Sequence, residues 1–146
     1  MKLKPPSRIE TSDYPRLMAL WRAAGLHIRP NGRDSEEAFT RQMASGLQTG
    51  IGIENEAGEL VGVTLATHDG RRGWINRLAV HPDYRRQGVA ETLIAAAEET
   101  LHAQGMDVIS ALIEPENIAS LSLFQKTGYV EHVGLHYISK RSSDEA

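Results

Sequence analysis

The 146-residue chain has no cysteine, which excludes disulfides, thiolate zinc sites and a cysteine nucleophile. Aromatic residues make up only 5%, and there is no excess of positive charge, the net charge being -3 and the pI about 6.1. A nucleic-acid surface needs clustered cations interleaved with stacking rings, so neither DNA nor RNA is an expected partner. No apolar run is long enough to cross a bilayer, and the opening MKLKPPSRIE lacks the apolar segment of a secretory signal. The expectation is a cytoplasmic protein without a membrane partner. His27, His68, His81, His102, His132 and His136 show no ligand spacing on a common helix, and no metal is expected. Neither a Walker loop nor the G-x-G-x-x-G dinucleotide fingerprint occurs.

What is present is an ordinary globular balance, 40% hydrophobic and 24% charged, in a length that suits one domain with a real core. That domain is expected over residues 1–141, with 142–146 as a polar, frayed tail. TSDYPRLMALWRAAGL reads as a first helix, with Leu17, Leu20, Trp21 and Ala24 on one stripe, Asp13 as cap and Gly25 as stop. RDSEEAFTRQMA offers a second, with Asp34 and Glu37 spaced as a capping box. The period then shortens. GIGIENEAGELVGVTLATH reads as two strands around the turn NEAGE, and DGRRG leads into a third strand, WINRLAV. A helix follows with Ala90, Leu93, Ile94, Ala97 and Leu101 on one stripe, closed by Gly105. DVISALI, a continuous apolar run, suits an interior strand covered on both sides. NIASLSLFQKTG is a short helix, and YVEHVGLHYISK supplies a final pair of strands. The order implies a mixed α/β sheet with helices on both faces.

RRQGVA, residues 85–90, joins a strand to a helix. Positive charge at a helix N-terminus opposes the macrodipole, which favours an anion there. Arg85 and Arg86 therefore make sense beside a bound anion such as a pyrophosphate, with Gly88 letting the backbone approach and the first helical amides lacking intrahelical acceptors. A solvated basic turn, its glycine used for helix packing, is the other reading of this segment.

The sequence here resembles the GNAT superfamily of acyl-CoA-dependent N-acyltransferases. Its signature Arg/Gln-x-x-Gly-x-Gly/Ala stands as Arg85, Gly88 and Ala90, preceded by LAVHPDY and followed by an amphipathic helix. A second signature, Asn-x-x-Ala-x-x-Leu-Tyr-x-Lys-x-Gly-Phe, is met with substitutions from Asn117 through SLSLFQKTGY. The resemblance spans residues 51–140 and implies a mostly antiparallel GNAT-like sheet and acetyl-CoA as cosubstrate. It implies that the backbone at Leu78, Ala79 and Val80 meets the pantetheine arm and the thioester carbonyl. The amides of Arg86, Gln87, Gly88, Val89 and Ala90 would hold the pyrophosphate, with Arg85 adding charge, and Asn117 would touch the cofactor's far side.

Catalytic groups are less regular. Relatives often place a Glu or His base on the fourth strand, but the positions of matching parity here are Trp74, Asn76 and Leu78, of which only Asn76 could hold a water. The nearest carboxylate is Glu114, kept extended by Pro115 and on the side of Leu112 by strand alternation; an exposed loop acid or a helix cap is its alternative. The position of the usual leaving-group Tyr is Phe124, whose ring is expected to pack against the pantetheine end of the cofactor. Ser120, one turn earlier on the same face, can meet the CoA chain; Tyr129 and Tyr137 are alternative acids that also read as core. Acceptor binding is expected from Trp21, Arg29, Arg33, His68, Asp69 and Arg71, whose mixed charges suit an amino acid, a small amine or a protein N-terminus. Exposed strand edges near Tyr137 could pair two copies. Two functions fit these residues: N-acetyl transfer to a primary amine by direct attack, or a CoA-binding sensor or regulatory module with catalysis lost.

Overall fold

The computed structural model describes residues 2–146. In chain order the elements are β1 (Ser7–Ile9), α1 (Tyr14–Ala23), α2 (Glu36–Ala44), β2 (Gln48–Glu54), β3 (Leu60–His68), β4 (Gly73–Val80), α3 (Val89–Ala103), β5 (Ile109–Ser110) and α4 (Ile118–Lys126). The strands form one sheet in the order β1-β2-β3-β4-β5, antiparallel except for the β4–β5 pair. This is the mixed, mostly antiparallel sheet with helices on both faces that the sequence implies.

Alternation along the strands decides which side chain meets which helix. Ile51, Ile53, Val61, Ala66 and Ile75 pack with Val89, Leu93, Ile94, Ala97, Leu101 and Phe124 on the α3 face. Val63, Leu65 and Ala79 pack with Leu17, Leu20, Trp21 and Phe39 on the α1 face. Each large side chain buried in these layers contributes roughly 1.5–3 kcal/mol. Of the expected stripes, Leu17, Leu20 and Trp21 of α1 and Leu93, Ile94, Ala97 and Leu101 of α3 are buried, while Ala24 and Ala90 are half-buried, and Gly25 and Gly105 follow those helices in the left-handed conformation. The turn NEAGE is organised by Asn55, whose Oδ1 accepts from the N–H groups of Ala57 (3.0 Å) and Glu59 (2.9 Å).

Two helix starts differ from expectation. Ser35, not Asp34, caps α2, its Oγ accepting from Ala38 N–H at 3.1 Å. That leaves the Asp34 carboxylate available for a tertiary contact. Asp13 makes no cap bond to α1 and instead accepts from Glu10 N–H (2.7 Å) and Arg16 Nε (2.9 Å).

The last third of the chain departs further. Of DVISALI only Ile109 and Ser110 pair with the sheet, at its edge, and Leu112 is 63% exposed. A continuous apolar run cannot by itself tell an interior strand from an edge strand that gives way to loop. The final strands expected in YVEHVGLHYISK do not form: residues 129–146 carry no strand, and Val133, Leu135, Tyr137 and Ile138 are exposed. Tyr137 is thus not core, and no strand edge stands there for a second copy to extend. β1, which the sequence reading passed over, adds three residues antiparallel to β2. No helix among the described residues is long and apolar enough to cross a membrane.

Candidate functional site

β4 carries one residue more than β3 across its middle. Leu65 pairs with Asn76 and Val63 with Ala79, so three steps of β4 match two of β3, a β-bulge at Arg77 and Leu78. Arg77 takes φ 54, a left-handed conformation that L residues resist. Thr64, buried opposite the bulge, donates its hydroxyl to the Asn76 carbonyl at 2.9 Å.

The extra residue reverses the strand's alternation. Gly73 N–H points toward β5 and donates to Val108 at 2.8 Å, whereas His81 N–H points the other way, to Val61, at 2.8 Å. Counting back from His81, the N–H groups of Leu78 and Val80 face away from β3. On that side β5 pairs only with Gly73 and Trp74. Beyond Trp74, β4 has no partner strand there among the described residues, so these amides border the opening between β4 and the chain that follows β5. Side chains are reversed too. Asn76 and Arg77 both lie on the α1 face, while Leu78 packs toward α3. Trp74, Asn76 and Leu78 therefore do not share a face, contrary to the simple two-residue count.

The basic turn sits at the end of this strand. A 3-10 turn, Pro82–Tyr84, is held by His81 Nδ1 accepting from Asp83 N–H (3.1 Å) and by Asn55 Nδ2 donating to Tyr84 Oη (3.0 Å). Then Arg86 (φ 63) and Gly88 (φ 77) are both left-handed, a pattern that gathers successive N–H groups into an anion-binding concavity. Among the described residues no N–H from 85 to 91 has a backbone or side-chain acceptor; the first bond of α3 runs from Thr92 N–H to Gly88 at 3.0 Å. Gly62 brings the helix start close: a Cβ there would meet Val89 Cγ1 at 2.5 Å. Seven consecutive donors without acceptors, flanked by exposed Arg85 and Arg86, fit the oxygens of a pyrophosphate. A cleft of about 430 Å³ lies between residues 3–6 and Gln87, Gly88, Val89 and Thr92.

The remaining expected residues are placed unevenly. Val89 is buried under the helix start, so only its amide can serve a ligand, and Ala79 packs against the α1 side. Arg85 Nη2 reaches back to the Ala24 carbonyl at 3.5 Å. Asn117 caps α4, its Oδ1 accepting from Ser120 N–H at 3.2 Å. Phe124 is buried at 4% exposure and meets Tyr129 edge-on at 5.0 Å, so its ring belongs to the core and does not line an open groove. Tyr129 donates to Glu98 Oε2 at 2.8 Å, and burial followed by that bond raises its pKa, which leaves it a poor proton donor. Glu114 is exposed beyond the end of β5, where strand alternation no longer fixes its side. Asn76 Nδ2 is committed to Thr67 Oγ1 at 2.7 Å.

On the acceptor side, Trp21 is a core residue, 2% exposed, and cannot itself present a surface to a ligand. Arg29 and Arg33 stand in the α1–α2 connection, Arg33 exposed and Arg29 partly buried. His68, Asp69 and Arg71 form the β3–β4 turn, about 13 Å of strand away from Arg77. There His68 Nδ1 accepts from Gly70 N–H (3.0 Å), and Asp69 Oδ1 from Arg71 and Arg72 N–H (2.9 Å each), bonds that lower the Asp69 pKa. The structure thus brings Trp21 and Arg29 near the bulge and leaves His68 and Arg71 apart. No group of three or more His, Cys, Asp or Glu among the described residues could hold a metal.

Sequence reasoning missed Arg77. Its Nη2 lies 2.5 Å from Asp34 Oδ2, its Nη1 donates to the His27 carbonyl at 2.6 Å, and its guanidinium stands 5.1 Å over the Trp21 ring. Burial lowers its pKa, and Asp34 opposes that shift. A signal was present: Asn76 and Arg77 are consecutive polar residues inside an apolar strand, and only a bulge lets both face one side.

Residues 14–129 match the model of the acetyltransferase (GNAT) family. An acetyltransferase of Sodalis glossinidius (strain morsitans) is 32% identical over 129 residues, covering 88% of this chain and 89% of the relative. Among solved structures, the aminoglycoside N-acetyltransferase AAC(6')-Iy, bound to a bisubstrate analogue of CoA and acetylneamine, superposes with a TM-score of 0.78 at 18% identity, covering 97% of this chain and 99% of that one. The ribosomal-protein-S18-alanine N-acetyltransferase of Escherichia coli gives 0.76 at 20% identity, with 90% and 79% covered. The likeness to these solved structures is one of fold; the family model and the Sodalis relative carry the assignment, and the chain belongs to the GNAT acetyltransferase family.

Proposed function

We propose that this enzyme transfers the acetyl group of acetyl-CoA to a primary amine by direct attack, in a single domain spanning residues 1–141. The observation that carries the reading is the run of N–H groups at residues 85–91 without acceptors, placed at the end of a strand whose Leu78 and Val80 amides also lack a partner strand. Acetyl-CoA supplies an activated thioester: the C–N bond forms as the C–S bond breaks, one proton lost from the acceptor ammonium ends on the sulfur, and another goes to solvent.

The chain's own residues supply position and charge. The amides of Arg86, Gln87, Gly88, Val89 and Ala90 hold the pyrophosphate, with Arg85 and Arg86 balancing its charge. Val80 N–H and the chain around Asn117 and Ser120 hold the pantetheine arm. Leu78 N–H donates to the thioester oxygen as negative charge develops on it, the kind of donor worth about 10²–10³ in turnover when fixed in advance. Glu114, with water near Asn76, accepts the acceptor's proton. Glu114→Gln is then expected to lower turnover and leave acetyl-CoA affinity nearly intact, as read from initial rates beside calorimetry.

By their names, the structural neighbours act on acceptors of two kinds, an aminoglycoside and an alanine of a ribosomal protein. A small amine or a peptide N-terminus is the acceptor class that follows, in a cytoplasmic setting. The test is CoA-thiol release from acetyl-CoA across amino acids, polyamines, aminoglycosides and short peptides. Amine-dependent thiol release supports transfer. Tight CoA binding without thiol release from any amine would leave a sensor.

A further inference from the structure

We propose that Arg77 is a positioning residue: its ion pair with Asp34 holds the β4 bulge that turns Leu78 N–H outward, and so ties that amide to the α1–α2 connection. The inference rests on the reading that Leu78 N–H meets the thioester oxygen.

The geometry runs in one chain of contacts. Without the extra residue in β4, the amide of residue 78 would follow Asn76 and point at β3. The bulge reverses it, and the bulge depends on a left-handed arginine at φ 54. Left-handed backbone at a residue with a long side chain persists only where the surroundings over-determine it. Here they are specific. The guanidinium is gripped by Asp34 Oδ2 at 2.5 Å and the His27 carbonyl at 2.6 Å, two points of the same connection seven residues apart, while the Trp21 ring supports it from below.

Asp34 is itself immobilised. Its second role is to accept Arg29 N–H on the same oxygen at 2.7 Å, and its backbone N–H donates to the Arg29 carbonyl at 3.0 Å. Tyr14 Oη donates to the Asp34 carbonyl at 2.6 Å, fastening the connection to the start of α1. One guanidinium therefore reads the shape of residues 27–34 and transmits it to the strand. A shift of that connection on acceptor binding would be felt at the Leu78 amide, so the segment that meets the acceptor also sets how the thioester is polarised.

Arg77→Ala tests this, because alanine keeps the left-handed strain of the position and removes the grip that offsets it. The probe is acetyl-CoA, without any amine, added to ¹⁵N-labelled protein. In the wild type the amides of residues 85–91 and of Leu78 are expected to shift together. In Arg77→Ala, and in Asp34→Asn, the shifts at 85–91 persist and the Leu78 shift is lost. The dissociation constant from calorimetry rises no more than about tenfold, the worth of one hydrogen bond. The double variant is expected to cost less than the sum of the singles, since both remove the Arg77–Asp34 pair. If Arg77→Ala proves unfolded, Asp34→Asn, which keeps the arginine and weakens its partner, carries the test. A Leu78 shift that survives in a folded variant, with only the denaturation midpoint lowered, overturns the positioning role and leaves a structural ion pair. Absence of any shift at 85–91 in the wild type overturns the functional reading instead.

Discussion

Gly88 and Phe124 act through different terms. Gly88 has φ +77 and no heavy atom within 4 Å of where a Cβ would stand, so a substitution there is limited by backbone conformation and not by a clash. Asparagine tolerates that conformation and a β-branched residue does not. Gly88→Asn is expected to keep most of the CoA affinity. Gly88→Val should lose about tenfold or more, the equivalent of the 1–2 kcal/mol that left-handed backbone costs, as measured by calorimetry with CoA. Phe124 stands where relatives carry a tyrosine, but its ring is in the core against Tyr129. Phe124→Tyr adds a hydroxyl to a buried site and is expected to cost about 1–3 kcal/mol of stability by urea denaturation, without raising turnover.

Among the elements, α1 is joined to the hairpin turn and the N-terminal segment by a small ion network. Arg16 Nη1 lies 2.6 Å from Glu54 Oε2, its Nε 2.9 Å from Asp13, and Lys4 Nζ 3.7 Å from Glu54. The hydrogen bond from Arg16 lowers the Glu54 pKa below its ordinary 4.5, against a smaller opposing effect of burial. A carboxyl with a depressed folded-state pKa contributes stability that is fully present above the unfolded value and is lost as pH falls through the folded one. Glu54→Gln is therefore expected to lower the urea midpoint near neutral pH and to flatten the loss of stability below pH 4.5. A pair this exposed is screened, so the difference from wild type should also shrink in high salt. Equal acid slopes for the two proteins would remove Glu54 from the account.

Across the whole molecule, packing is uneven. β2, β3, β4 and α3 enclose the larger core layer, whereas residues 111–117 and 129–146 carry little regular structure and expose Leu112, Val130, Val133 and Leu135. Amides protected by core packing open only with global unfolding, and those of loosely packed segments open locally. Hydrogen exchange is expected to be slowest in α3 and the three central strands and fastest over 130–146. Adding CoA should slow exchange at residues 78, 80 and 85–91, where the amides have no acceptor of the chain's own, and leave the β3–β4 turn at 68–72 unchanged. Protection of the turn at 68–72 in place of 85–91 would mean that the anion binds elsewhere.

What the sequence determined by itself was local. The stripes of α1 and α3, the stops at Gly25 and Gly105, the Asn55 turn and the basic turn with its left-handed glycine each depend on neighbours a few residues away, and their residue types state their conformation. The motifs at Arg85 and Asn117 were enough to name the family and its cosubstrate. Only the tertiary structure decided the rest, because those features are settled by partners distant in sequence. Arg77 meets Asp34 across 43 positions, which took the aspartate from its expected capping box and, through the bulge, overturned a two-residue count that was sound for an unbroken strand. DVISALI became an edge of two paired residues, Phe124 turned into the core, and 129–146 stayed without strands. Apolar character and alternation state what a segment can pair with, while the competition among all possible pairings is resolved only when the whole chain packs.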